Sequence, residues 1–245
     1  MRDLDAANLD SMLLLAAAGV AGGFVRGFSG FGGPTFISLL LTQVFTPITL
    51  IPKLVLMELC AYPALFLNVR KEIVWQLMLP LGGAVLIAAP IGVWSMLQLD
   101  QGLLKRMIAA TALASVVALM AGWRLKAIPS PFVLFPVGLL LGWLIGTTYV
   151  ALPMVAFMLM QPVSAQVCRA NIICMSIFTS PILLFSIIYN GLITRSDLVP
   201  VLGAGLIYLG AVWLGSFAFK FVGDRDYRRA AYWLMILLAI GTLLR

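Results

Sequence analysis

Long apolar runs fill most of the chain, and short polar stretches separate them. A membrane-spanning helix needs about 20 predominantly apolar residues, and on that scale the sequence divides into eight hydrophobic blocks. The blocks cover residues 12–41, 47–69, 74–97, 103–123, 131–160, 163–189, 198–222 and 230–244. The separating stretches are too short to form a soluble domain. We therefore predict an all-α polytopic membrane protein with a single transmembrane domain over residues 1–245.

The first and fifth blocks are too long for a simple crossing, at about thirty residues each, and both are interrupted. The first block contains "GGFVRGFSGFGGPTF", and the fifth block contains "LGWLIGTTYVALPMV". We predict helix breaks at Gly27 and Pro34 in the first block, and at Gly146 and Pro153 in the fifth. The glycines alone have an alternative explanation, because small residues also allow close helix packing in membranes.

Superposing Pro34 on Pro153 also places Gly23 on Gly142 and Gly27 on Gly146. The order of segments repeats as well, which predicts two homologous four-segment halves over about residues 12–123 and 131–245. Duplicated broken helices are typical of secondary transporters, in which the breaks meet near the membrane midplane and bind the substrate. Two half-length helices fit a re-entrant segment, so we favour inverted over parallel repeats.

Composition agrees with a membrane protein, since 62% of the 245 residues are hydrophobic and only 10% are charged. The net charge of +7 comes from cations in short clusters between the apolar runs, as in loops of membrane proteins, so we expect no nucleic-acid partner. There is no histidine, no CxxC pair and no hydrolase or metalloprotease motif. We therefore expect no metal, no cofactor and no enzymatic activity.

Four ionisable residues lie well inside predicted spans: Arg26, Lys53, Glu58 and Arg169. Charges at that depth are costly and usually functional. Lys53 and Arg169 occupy similar places in the two halves, so the cations predict an anion site, unless these two extend to the lipid headgroups. Glu58 has two interpretations: a structural partner of Lys53 or Arg169, or a proton carrier in coupled transport.

Polar uncharged residues accompany the breaks and the cations. They are Ser29 in the first block, Thr147 and Thr148 at the matching place in the fifth, and Asn171 near Arg169. Hydroxyls, amides and exposed backbone N–H groups can donate to an oxyanion, and a guanidinium can add a bidentate pair. We assign these residues, together with the three cations and with Gly30, Gly32 and Gly33, to a binding site for a sulfonate, sulfite or carboxylate group. The alternative for each serine or threonine is a hydrogen bond to the backbone of its own helix.

At these residues the chain resembles the sulfite exporter TauE/SafE family, in which a glycine-rich stretch followed by proline occurs early in each of two similar halves. "GFSGFGGPTF" is similar to the first copy, with Gly30, Gly32, Gly33 and Pro34 at the motif positions. The second copy, "GTTYVALPMV", keeps the proline and the leading glycine but lacks the GG pair. The resemblance implies transport of sulfite, sulfoacetate or other organosulfonates across a bacterial inner membrane.

We therefore expect a secondary transporter, most simply an exporter that uses alternating access, embedded in the lipid bilayer and binding a small sulfur-containing anion. An anion channel with the same cations lining a pore is the alternative. Proton coupling and a homodimeric assembly stay open at the level of sequence.

Overall fold

The computed structural model describes residues 9–41, 47–120, 123–148, 151–189, 191, 193 and 195–243. Within these residues the regular elements are α-helices, and no strand occurs among them. The helices are α1 (Leu9–Ser29), α2 (Gly33–Leu41), α3 (Pro47–Val69), α4 (Trp75–Gln98), α5 (Gln101–Met120), α6 (Pro131–Thr148), α7 (Leu152–Leu159), α8 (Ala165–Tyr189), α9 (Arg195–Phe219) and α10 (Asp224–Leu243). The predicted all-α class is confirmed.

Five helices contain segments that are long and apolar enough to cross a membrane. These segments are Pro52–Val69, Trp75–Ser95, Pro131–Thr148, Ala165–Phe185 and Val201–Phe219. α1 adds a shorter apolar segment, Leu13–Ser29. The protein is therefore a multi-pass membrane protein.

Both long hydrophobic blocks are broken into two helices, as predicted. α1 ends at Ser29 before α2 begins, and α6 ends at Thr148 before α7 begins. Gly30 and Gly32 have φ values of 84° and 78°, a region that side chains rarely permit. Pro34 and Pro153 are the second residues of α2 and α7, where the missing N–H costs nothing. The prolines thus start the helices that follow the breaks.

The other two residues predicted at the breaks, Gly27 and Gly146, lie inside α1 and α6 instead. A Cβ atom built on Gly27 would overlap the carbonyl oxygen of Val212 in α9, and one on Gly146 would overlap that of Ala89 in α4. Their absent side chains allow two helix backbones to touch. The prediction of a break at these two positions was wrong, and close packing is the reason for the glycines.

α2 folds back on α1 rather than continuing its direction. A Cβ built on Gly22 of α1 would meet the side chain of Ile37 and lie 2.8 Å from the carbonyl oxygen of Gly33, both in α2. At nine residues α2 is about 14 Å long, roughly half the thickness of a hydrocarbon core. The first block is therefore a hairpin with the dimensions of a re-entrant segment.

The chain folds into two compact units, and neither coincides with a predicted half. The first unit comprises Met1–Asn68 and Leu183–Val222, and the second comprises Val69–Ile182 and Gly223–Arg245. Within the first unit α1 packs on α9, and within the second α6 packs on α4. Each unit thus combines helices from both halves of the sequence.

These two helix pairs make matching close approaches. A Cβ on Gly215 of α9 would overlap the carbonyl oxygen of Phe24, and one on Gly92 of α4 would overlap that of Trp143. In the alignment of the two halves Phe24 corresponds to Trp143, as Gly27 does to Gly146. The internal repeat stays a prediction, and these contacts support it.

Candidate functional site

A buried ion pair lies at the end of α1. Arg26, in the last turn of that helix, is 3% exposed, and its Nε atom lies 2.8 Å from Oε1 of Glu58 on α3. Glu58 is 13% exposed. Each charge would be strongly destabilising in this environment without the other. The structure thus gives Glu58 the partner Arg26, whereas the sequence analysis expected Lys53 or Arg169.

Two tyrosines complete the surroundings of the carboxylate. The Tyr62 hydroxyl donates to Oε2 of Glu58 at 2.7 Å, and the Tyr208 hydroxyl donates to Oε1 at 3.1 Å. The Tyr62 ring also lies under the guanidinium, with 5.9 Å between Cζ of Arg26 and the ring centroid. Both oxygens of Glu58 are therefore hydrogen-bonded. We call Arg26, Glu58, Tyr62 and Tyr208 the charged cluster.

The charged cluster lies against the break between α1 and α2. Arg26 Nη1 donates to the carbonyl oxygen of Gly30, the first residue of the break. A Cβ built on Gly33 would lie 2.7 Å from Cβ of Arg26 and 2.8 Å from the hydroxyl of Tyr208. A larger residue than glycine at the start of α2 would therefore displace the cluster. Three predicted site residues, Arg26, Gly30 and Gly33, are brought together here.

Two nitrogen atoms of Arg26 make no hydrogen bond to the described residues: Nε, which is in ion-pair contact with Glu58, and Nη2. The Nη2 atom of Arg26 is buried and has no hydrogen-bond partner within the described part of the chain. Buried donors are almost always satisfied in proteins, and one that is not requires an explanation. A guanidinium edge with an unused N–H pair is suited to an oxyanion.

Ser29 and Lys53 have different surroundings in the same unit. The Ser29 hydroxyl lies 2.7 Å from the carbonyl oxygens of both Val25 and Phe31, and it accepts the Phe31 N–H at 3.2 Å. Ser29 therefore holds the conformation of the break. Lys53 lies on α3, on which Glu58 also lies, and is half-buried.

The remaining predicted site residues lie in the second unit. Arg169 and Asn171 are buried on α8. Asn171 Oδ1 accepts the N–H of Val74 at 3.0 Å, while its Nδ2 atom has no partner among the described residues. Thr147 and Thr148, in the last turn of α6, donate at 2.7 Å to carbonyl oxygens one turn earlier in their own helix. Asn171 is thus the second predicted site residue with a buried, unused donor.

Residues 15–242 of the chain match the family described as Sulfite exporter TauE/SafE. The chain belongs to the TauE/SafE family. The match includes nearly the whole chain, both helix breaks and the charged cluster, and it confirms the resemblance seen in the sequence. No curated protein and no solved structure matches the chain. TauE/SafE proteins are membrane transporters that export sulfite and related anions, which gives the buried donors a chemical context.

Sequence reasoning missed the two tyrosines that complete the charged cluster of this TauE/SafE protein. Tyr62 follows Glu58 by one helical turn, which is the spacing of side chains on one helix face. Tyr208 is a hydroxyl-bearing residue in the middle of an apolar block, and it is fully buried. Both signals were present in the sequence, although the contact between α3 and α9 that unites them was not.

The role of Arg228 was also missed, because the sequence analysis treated the cations between the apolar runs as loop residues, whereas Arg228 lies in α10. It is 9% exposed, and its guanidinium donates to the carbonyl oxygens of Leu159, at 2.7 Å, and of Val163. One helical turn earlier, Asp224 accepts the N–H of Ala165 at 3.1 Å. These two side chains of α10 fix the turn between α7 and α8.

A cavity of about 400 Å³ lies between α3 and α9 in the first unit. Its lining is mostly apolar and includes Leu65, Trp213 and Ser216. Arg26 and Glu58 do not belong to the lining. The described residues that line this cavity include no charged side chain.

Proposed function

We propose that this TauE/SafE protein is a secondary transporter that exports small sulfur-containing anions, such as sulfite, sulfoacetate or other organosulfonates, by alternating access. We place it in the bacterial inner membrane. The observation that carries the proposal is the buried Nη2 atom of Arg26, which has no partner among the described residues and lies beside a broken helix.

The surroundings of Arg26 favour an anion for two reasons. The guanidinium supplies a positive charge and a planar set of donors that suits two oxygens of a sulfonate or sulfite group. The first turn of α2 adds backbone N–H groups, since the N–H groups of Gly33 and Thr35 have no partner within their own helix. The positive end of the α2 dipole has the same preference for negative charge.

Within the second unit, taken by itself, we propose that Asn171 and Arg169 take part in anion transport. Asn171 offers a buried amide donor, and Arg169 offers a buried positive charge two residues away on α8. Ser29, Thr147 and Thr148 can donate to an anion only after a hydroxyl rotation, because each proton already points at a backbone carbonyl. We assign them supporting roles and assign none of these residues a catalytic one.

Ligand binding to purified protein tests the site. A ligand of the folded state raises its apparent stability, so sulfite, thiosulfate, sulfoacetate and methanesulfonate are screened by thermal shift. Asn171→Asp keeps the acceptor for the Val74 N–H but replaces the unused donor by a negative charge, and we expect it to lose the shift. Arg229→Met, which removes an exposed arginine, is the control and should keep the shift. Wild-type shifts in both Asn171→Asp and Arg26→Met would contradict the site assignment.

Flux through proteoliposomes tests the mechanism. A transporter that alternates between two states should show saturable uptake and counterflow, in which unlabelled anion on one side drives labelled anion across. A pore would instead carry electrical current at rates far above those of any conformational cycle. Channel-like currents without counterflow would refute alternating access and leave the anion site intact.

A further inference from the structure

We propose that the charged cluster binds a monovalent anion together with one proton, because Glu58 and the transported anion compete for Arg26. This inference rests on the proposed function and adds the charge state of the substrate and the origin of proton coupling. The inference follows from the contacts of Glu58, whose carboxylate forms an ion pair with Arg26 in the place where a bound anion would pair with it.

The first step is the charge balance of the cluster. Arg26 contributes one positive charge and Glu58 one negative charge, and they touch through Nε and Oε1 at 2.8 Å. The cluster is neutral as it stands. A buried site with an uncompensated charge is strongly disfavoured, so the neutral state must be restored after any ligand binds.

The second step is to add the substrate. A monoanion that pairs with Arg26 while Glu58 is ionised gives the cluster a net charge of −1. Protonation of Glu58 by a proton from bulk water removes that excess and leaves Arg26 paired with the substrate. A dianion such as sulfate would leave a net −1 even after this protonation. The site therefore selects monovalent sulfonates and bisulfite over sulfate, and it disfavours sulfoacetate wherever the carboxylate of that anion is also ionised.

The groups that face Glu58 allow this exchange. Among the described residues, those in contact with its carboxylate are Arg26 from α1, Tyr62 from α3 itself and Tyr208 from α9. α2 has no titratable side chain, and five residues of an ideal α-helix put Lys53 about 140° from Glu58 around the axis of α3. A protonated Glu58 can still accept from one tyrosine and donate through its own proton, so the cluster remains hydrogen-bonded in both states.

The matching helix pair of the second unit indicates that packing does not require the charges. Gly142 of α6 approaches Val85 of α4 as Gly23 of α1 approaches Tyr208 of α9. In the alignment of the two halves Ile145 corresponds to Arg26. Ile145 and Val85 are both buried and apolar, so the same glycine contacts form without an ion pair. The charges of the first unit are therefore available for binding.

The experiment uses methanesulfonate, which stays ionised at every working pH, so that any pH dependence belongs to the protein. At pH values where Glu58 is ionised in the anion-free wild-type protein, we expect the affinity for methanesulfonate to fall by about tenfold per pH unit. Calorimetry in buffers of different ionisation enthalpy should then show uptake of about one proton per bound anion. Glu58→Gln should bind at least about tenfold more tightly at high pH, with no proton uptake. Glu72→Gln, an exposed carboxylate, should behave as wild type.

Tyr208→Phe keeps both charges and is the alternative test variant if Glu58→Gln does not fold. It removes one hydrogen bond from the ionised carboxylate, so methanesulfonate should bind more tightly at a given high pH. The double variant Arg26→Met/Glu58→Met should not bind at all. Anion binding that needs Arg26 but takes up no proton, or that is equally tight for sulfate, would refute the competition and leave the proposed function standing. Failure of every anion to bind the wild type would overturn both.

Discussion

The ion pair between Arg26 and Glu58 predicts an unusual pattern in a double-mutant cycle. At 2.8 Å between Nε and Oε1, and with an effective dielectric constant of about 20, the attraction is about 6 kcal/mol before desolvation. Arg26→Met leaves a buried carboxylate without its cation, and Glu58→Met leaves a buried guanidinium without its anion. We expect each single change to lower the free energy of unfolding by about 3–5 kcal/mol. The double change leaves no buried charge and should cost clearly less than the sum of the two single changes, although the Tyr62 and Tyr208 hydroxyls lose their acceptor.

The measurement is reversible unfolding of the four proteins in mixed detergent micelles, with SDS as denaturant. Arg229→Met and Glu72→Gln, which are exposed, should each change the free energy of unfolding by less than about 0.5 kcal/mol. The stable double variant should also show no anion-induced thermal shift, which separates loss of binding from loss of folding. Additive costs in the double variant, or single changes as mild as the controls, would refute the buried pair as the structure describes it.

Two further predictions concern stability. Arg228→Met leaves the carbonyl oxygens of Leu159 and Val163 without their charged donor and should cost about 2–4 kcal/mol of unfolding free energy; a melting temperature equal to that of Arg229→Met would contradict it. Gly27→Ala and Gly146→Ala should each lower the melting temperature, because the new Cβ meets backbone that cannot move without separating two helices, whereas the same change at Gly210, which has open space, should be neutral or stabilising.

The helix breaks could be predicted because their cause is local. Closely spaced glycines followed by Pro34 favour the end of one helix and the start of another. The structure has this break at residues 30–32. Gly27 could not be assigned correctly by the same reasoning. A glycine that permits φ > 0 and a glycine that admits a neighbouring backbone look alike in one sequence, and only the contact with Val212 distinguishes them.

The charged cluster was predictable in part for a related reason. The depth of Arg26 and Glu58 follows from their positions within apolar blocks. Charged residues inside membrane spans are costly and usually functional. The pairing of Arg26 with Glu58 depends on how α1 packs beside α3, which no spacing along the chain reveals. Lys53 or Arg169 was expected to pair with Glu58 on the basis of sequence positions alone. In the folded chain the partner of Glu58 is Arg26. Tyr208 joins the cluster through the same tertiary packing.

The contact between Gly27 and Val212 also limits how the first unit can deform. If α1 slid by one residue along α9, the ring of Phe28 or the side chain of Arg26 would take the place of a hydrogen atom against that backbone. This close backbone contact therefore opposes sliding of α1 along α9. Any bending between α1 and α2 would then fall on Gly30, Phe31 and Gly32, and Gly30 is the residue whose carbonyl oxygen accepts a hydrogen bond from Arg26.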